Sequence, residues 1–378
     1  MEKDQAEKFI LDLLRLTMAK NASDLLITSG FPPAMKIDGK VTPVSNQVLS
    51  SLQTQAIARV MLTEQQLADF EVSQECNFVV SRTGLSRFRV NAFIQRGAVA
   101  LVFRMIATSI PDFEGLGLPA VVKDIALAKR GLILFVGGSG SGKSSSLAAM
   151  VGYLNANSSG HILSIEDPIE FLHAHQQCIV SQREVGVDSH DWASALNNAL
   201  RQAPDVVVIG AIRDRLSMEH ALAFAETGHL CIASLHANST HQAIDRIVNF
   251  FPEERRNQVL MDLSLHTKAM VAQRLIPLSQ GKGRVAAVEV MLNSPLIADL
   301  IAKGDVQAIK DCMAKAKDFG MQTLDQALFN LYTDGLITYE DALLNADSEN
   351  DLRLKIKLAF DAAKAQMPAA DLTQINVV

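Results

Sequence analysis

Residues 132–147 constrain this chain more than any other stretch. Leu132-Ile-Leu-Phe-Val136 is a short, wholly apolar run, the pattern of a strand buried on both faces. Gly137-Gly138-Ser139-Gly140-Ser141-Gly142-Lys143-Ser144-Ser145 follows it, and a helix-compatible segment comes next. Two glycines with four residues between them, then Lys-Ser, is the spacing of a P-loop. Glycines let backbone N–H groups turn inward around phosphate oxygens. A helix starting just beyond presents the positive end of its dipole to the same anion. In such a loop Lys143 reaches the β- and γ-phosphates and the Ser144 hydroxyl ligates Mg²⁺. A flexible Gly/Ser linker has a similar composition, but no buried strand and helix flank a linker. The expectation is a nucleoside-triphosphate site.

The rest of the composition sets bounds on that reading. A length of 378 residues suggests two or three domains, and 48% apolar content supports sizeable cores. A net charge of −6 argues against a non-specific nucleic-acid binder, which needs a basic field. Cys76, Cys178, Cys231 and Cys312 form no CxxC pair, which speaks against a zinc site or a disulfide framework and fits a reducing cytosol. The polar, acidic start Met1-Glu-Lys-Asp-Gln shows no signal peptide, and no apolar run reaches membrane-spanning length.

Residues 6–18 place apolar side chains at helical spacing. Short strand patterns follow at 25–28, 34–37 and 40–44, with Asp38-Gly39 as a hairpin turn. Helical segments near 52–62 and 64–70 come next, the second with Thr63 and Gln66 at capping-box spacing. Strands are expected again at 76–81, 86–94 and 98–105. Residues 1–106 therefore read as a small α/β domain. Residues 107–118 carry Pro and Gly without periodicity and read as a linker. From 119 to 290, apolar runs at 132–136, 162–165, 206–209, 230–233 and 285–290 alternate with helical patterns, so a largely parallel sheet is expected. Residues 291–364 look wholly helical, and 365–378 look like a flexible tail.

Four further groups of residues invite a chemical reading. Glu166-Asp167-Pro168-Ile169-Glu170 puts three carboxylates in five residues after a strand; they ligate Mg²⁺, orient a water, or form a solvated acidic turn. Asp205-Val-Val-Val-Ile209-Gly210-Ala211 resembles a Walker B strand, with Asp205 as a candidate metal ligand and Ala211 at the strand end. His229 and His236 bracket a mostly apolar strand, and their spacing of seven sets them on opposite faces. Arg82, Arg87, Arg89, Arg96 and Arg104 have no acidic run beside them in sequence; they form a solvated strand face, or some of them meet an anion. His173 and His175 read as surface residues.

Taken together, these segments resemble the secretion and type IV pilus ATPases, and among them the pilus retraction ATPases of the PilT/PilU family. The resemblance is carried by Arg87-Phe-Arg-Val-Asn-Ala-Phe93, the P-loop, Ile165-Glu-Asp-Pro-Ile-Glu170, Ser181-Gln-Arg-Glu-Val-Gly186, the Thr227–His236 box and Phe250-Phe-Pro-Glu-Glu-Arg255. Leu200-Arg-Gln-Ala-Pro-Asp205, Ser294-Pro-Leu-Ile-Ala-Asp-Leu300 and Asn345-Ala-Asp-Ser-Glu-Asn-Asp-Leu-Arg353 are more similar to the PilU branch.

The resemblance implies a PAS-like N-terminal α/β domain joined to a RecA-like P-loop ATPase domain with a helical C-terminal part. It also implies a homo-hexameric ring that uses ATP and Mg²⁺, lies in the cytoplasm peripheral to the inner membrane, and works with a partner retraction ATPase and a membrane platform protein. By position, Glu170 takes the place of the catalytic glutamate and His229 and His236 that of the histidine box. Arg89 and Arg104 match the pair that reaches the triphosphate of an adjacent subunit, and Glu166 and Asp205 are the acids expected near the metal. The family carries Glu where Ala211 stands, so impaired hydrolysis is expected. The alternatives are a nucleotide-gated accessory subunit and a secretion-system ATPase.

Overall fold

A computed structural model describes residues 2–366, apart from 38, 83, 107, 108, 282, 317 and 318. The chain falls into two compact units. Met1–Ile110, Glu166–Ala174 and Gln182–Ala195 form the first. Pro111–Ile165, His175–Ser181 and the chain from Leu196 form the second.

The first unit holds strands β1 (Asp24–Ile27), β2 (Ala34–Ile37), β3 (Lys40–Pro43), β4 (Glu75–Val80), β5 (Phe88–Gln95) and β6 (Ala98–Met105). They make a six-stranded sheet in the order β3-β2-β1-β6-β5-β4, antiparallel at every pairing. Period-two alternation decides its faces. Phe88, Val90 and Phe103 are fully buried with Ile10, Leu14 and Ile57 of the helices Lys3–Ala19 and Ser51–Met61. Arg87, Arg89 and Asn91 project from the other face. The expected cap forms at helix Glu64–Ser73: Gln66 N donates to Thr63 Oγ1 (3.3 Å), and Thr63 N donates to Gln66 Oε1 (3.0 Å). Asp38 of the expected hairpin turn lies outside the described residues.

The second unit is built on β7 (Gly131–Val136), β8 (Gly160–Glu166), β9 (Cys178–Glu184), β10 (Val206–Ile212), β11 (Leu230–Leu235), β12 (Thr267–Pro277) and β13 (Arg284–Leu292). The order is β13-β12-β7-β11-β10-β8-β9. Strands β12, β7, β11, β10 and β8 are parallel, and β13 is antiparallel to β12. Helix Lys143–Asn157 covers the sheet, packing Leu147, Met150, Val151 and Leu154 into the core that holds Ile133, Phe135 and Ile232. Strand β12 was not expected from the sequence, yet it borders the P-loop strand.

Residues 109–118 are more ordered than a linker. Asp112 caps the short helix Phe113–Leu116, and Phe113 is buried edge-to-face against Tyr153, with centroids 5.3 Å apart. Residues 107 and 108 lie outside the described residues. The C-terminal part is helical as expected, at Pro295–Lys303, Val306–Lys315, Leu324–Thr333, Tyr339–Leu344 and Glu349–Gln366. Leu324, Leu328, Ile337, Ala342 and Leu352 make a separate cluster with Ile276 and Ala287 of the sheet. The expected tail lies outside the described residues beyond 366. Among the described residues, no helix is long and apolar enough to cross a membrane.

Candidate functional site

The loop after β7 has the shape its glycines require. A Cβ on Gly137 would lie 2.2 Å from Ser141 Oγ and 2.9 Å from the carbonyl oxygen of Gln273. One on Gly142 would lie 2.7 Å from Gln273 Nε2, and Gly142 also sits at φ +90°. Gly140 needs its φ of +73°, whereas Gly138 faces open space. The two glycines that define the motif spacing are thus the two with no room for a side chain. Gly142 stands at the N-cap of helix Lys143–Asn157 and supplies no side-chain cap, so the positive helix end is left to an anion. Lys143 is 7% exposed. Its Nζ donates to the carbonyl oxygens of Gly137 (2.9 Å) and Gly138 (2.7 Å), which holds the ammonium inside the loop. Ser139 and Gly140 are exposed at the rim, and Ser144 and Ser145 are half-buried on the first helical turn.

Strand direction sorts the other candidates of this unit. In a parallel sheet, residues that follow a strand gather at one edge and residues that precede one gather at the other. Val136, which ends β7, pairs with Leu235, and Leu235 pairs with Ile212. Ala211 and His236 therefore lie at the level of the P-loop. Asp205 and His229 precede Val206 and Leu230, which align with Gly131. That puts them about 20 Å away, six residues at ~3.3 Å each.

This corrects two expectations. Asp205 cannot ligate a metal at the P-loop; its carboxylate accepts from His161 N (2.7 Å). His229 cannot meet a γ-phosphate there; its Nδ1 lies 3.0 Å from Thr227 Oγ1. His236 is in place. Burial, and then the charges of Lys143, Arg246 and Arg213, hold its imidazole below the ordinary histidine range. Ala211 sits on a bulge between Ile209 and Ile212, where Ser234 Oγ donates to the Gly210 carbonyl (2.5 Å). A bulge re-aims a side chain, and here it aims a methyl group.

Two neighbours on β12 carry functional geometry that the sequence reading missed. Gln273 Nε2 donates to Ser141 O (2.7 Å) beneath the loop. The Arg274 guanidinium donates to Asn238 O (3.2 Å), Asn345 O (2.5 Å) and Asp347 Oδ1 (2.9 Å), tying the segment after His236 to the C-terminal helices.

The acidic run and the arginines meet within the first unit. Glu184 is 3% exposed; it accepts from Ile169 N (3.3 Å) and from Arg87 Nη2 (3.3 Å) and so braces the segment that leads to Glu170. Gln182 Nε2 donates to Glu166 Oε1 (3.2 Å). Glu170 itself is exposed. Arg89 and Arg104 are direct cross-strand partners on β5 and β6, so fifteen positions in sequence become one side-by-side pair.

Arg82, Arg87, Arg89 and Arg104 have acidic partners that lie far from them in sequence. Arg89 approaches Asp167 (4.0 Å), Arg104 Nε donates to Asp24 (2.9 Å), and Arg82 pairs with Glu7. Arg104 is still 69% exposed, where one ion pair contributes little.

Of the two histidines read as surface residues, His175 is exposed and His173 is partly buried. His175 Nδ1 accepts from Val180 N (3.0 Å). His173 Nδ1 is buried and has no partner among the described residues, and burial pushes the His173 pKa down to about 4. A lowered histidine pKa means that the unfolded chain binds the proton first. The stability it contributes is complete above pH ~6.5 and is lost as pH falls toward 4. That loss approaches roughly 3 kcal/mol, at 1.36 kcal/mol per pH unit. Thermal melts of the parent should fall more steeply over this window than those of His173→Gln. Parallel pH profiles would contradict the assignment.

No group of three or more His, Cys, Asp or Glu among the described residues is arranged to hold a metal ion.

Comparison with known proteins agrees with this geometry. The type II/IV secretion system protein family matches residues 2–334. The type IV pilus ATPase PilU of Pseudomonas aeruginosa is 58% identical over 350 residues, 93% of this chain and 92% of that protein. The retraction ATPase PilT of the same organism is 40% identical, over 88% of this chain and 96% of its own length. A crystal structure of the pilus retraction motor PilT with bound ADP superposes with a TM-score of 0.86 at 38% identity, covering 91% of this chain and 99% of that one. The α/β architecture is that of an N-terminal domain followed by a RecA-like ATPase domain. The chain belongs to the type II/IV secretion system protein family and, within it, to the PilT/PilU type IV pilus ATPases.

Proposed function

We propose that this ATPase is the Mg-ATP-binding subunit of a six-membered ring that powers pilus retraction, with turnover slowed by Ala211. The observation that carries the reading is the phosphate cradle: Gly137 and Gly142 closed against Gln273 and Ser141, with Lys143 held inside. Lys143 and Ser144 hold phosphate and metal, Glu166 stands near the metal shell, and Glu170 orients the attacking water. His236 senses the γ-phosphate. The Arg89–Arg104 pair acts on nucleotide bound by a neighbouring subunit. A partner retraction ATPase and an inner-membrane platform protein complete the machine, on the cytoplasmic side of the inner membrane.

Ala211 favours a second reading, in which the ring binds ATP and supports a partner motor without turnover of its own. Both readings require nucleotide in the cradle. In cells lacking the chain, labelled pili should retract more slowly or not at all. The parent chain should restore retraction and Lys143→Ala should not. Full rescue by Lys143→Ala would overturn a nucleotide-dependent role in retraction.

A further inference from the structure

Gln273 is 2% exposed, and its strand neighbour Ala272 pairs with Val136, so the residue lies where the P-loop begins. Its amide nitrogen donates to Ser141 O (2.7 Å) and crowds the position of a Cβ on Gly142. The Ser141 carbonyl fixes the amide's orientation, since only its NH₂ end can donate. The other end, Oε1, is buried with no partner among the described residues, as is Ser141 Oγ. A buried amide that uses half its capacity is a poor stabilising device, because the unmet acceptor costs about what the bond contributes. Such a group is better explained by what it holds.

We propose that Gln273 is a positioning residue of the nucleotide site: it locks the Ser141–Gly142 peptide so that the Gly142 N–H faces the phosphates. In a planar trans peptide the carbonyl and the following N–H point in opposite directions. With Ser141 O drawn to β12, the Gly142 N–H points away from the sheet into the concave side of the loop. Gly142, at positive φ and with no Cβ, leaves this peptide easy to rotate. Without the amide donor it turns over and presents a carbonyl oxygen, which repels phosphate. The inference rests on the nucleotide-binding reading above.

The test is calorimetric binding of Mg-ADP to the full chain, with melting temperature measured alongside. Gln273→Met keeps the length and loses the donor, and affinity should fall about ten- to a hundredfold, the worth of one hydrogen bond to a charged group. Gln273→Glu should bind weakly at pH 8 and recover at pH 6. Burial raises its carboxyl pKa, and the protonated form again donates to Ser141 O. A merely structural role would move the melting temperature in both variants and give neither a pH-dependent affinity. If Gln273→Met folds poorly, the pH response of Gln273→Glu decides. Affinity within about twofold of the parent in both variants, while Lys143→Ala loses binding, overturns the role of Gln273 alone. A parent that binds no Mg-ADP overturns the nucleotide site and this inference with it.

Discussion

Replacing Ala211 with glutamate should raise kcat for Mg-ATP hydrolysis at least about tenfold, a floor beneath the roughly 10²–10³ that such positioned groups contribute. A methyl group cannot accept a proton, polarise water or bind to the metal shell. The position is right for a carboxylate: it lies near the end of a parallel strand, level with the P-loop, and sits half-exposed on a bulge. Affinity for ATP should change far less, because the cradle contacts ground-state phosphates and needs no strand-end base. An added anion near the γ-phosphate should, if anything, weaken binding. Steady-state phosphate release at saturating Mg-ATP reads the change. Equal rates for parent and variant would mean that Glu170 alone supplies the function and that Ala211 is no lesion.

Lys143→Ala should have the largest effect on binding and abolish measurable Mg-ATP affinity in calorimetry. Lys143 is 7% exposed and its ammonium is held by two loop carbonyls, so phosphate would meet it with little solvent screening. Charge-assisted hydrogen bonds are worth about 1.5–3 kcal/mol each, and two of them account for a hundredfold or more in affinity. The substitution also strips the Gly137 and Gly138 carbonyls of their present donor. Undiminished affinity would remove the loop from the functional account.

How much of this was legible in the sequence varies by residue. The P-loop was, because Gly137 and Gly142 answer to contacts that no other residue type satisfies. The misplacement of Asp205 and His229 was avoidable. Both precede parallel strands while the P-loop follows one, so chain direction alone puts them at the opposite edge. Strand β12 was hidden for a different reason. Lys268, Gln273 and Arg274 interrupt its apolar run, and it follows helix Arg256–His266 with no turn residue between. Two of those interruptions, Gln273 and Arg274, hydrogen-bond to the P-loop and to the segment after His236. The partners of Arg87, Arg89 and Arg104 could not be read at all. Glu184, Asp167 and Asp24 lie far away in sequence and only tertiary packing brings them close. The absence of a strand-end carboxylate at Ala211 was visible only against the family pattern.

The proposal made for Ala211 is that this chain holds ATP and barely turns it over. The most direct measurement is the identity of the nucleotide that stays with the purified protein after incubation with Mg-ATP and rapid removal of the unbound excess. Mostly intact ATP is expected on the parent chain, mostly ADP on Ala211→Glu, and no nucleotide on Lys143→Ala. Mostly ADP on the parent, formed as fast as on Ala211→Glu, would contradict it.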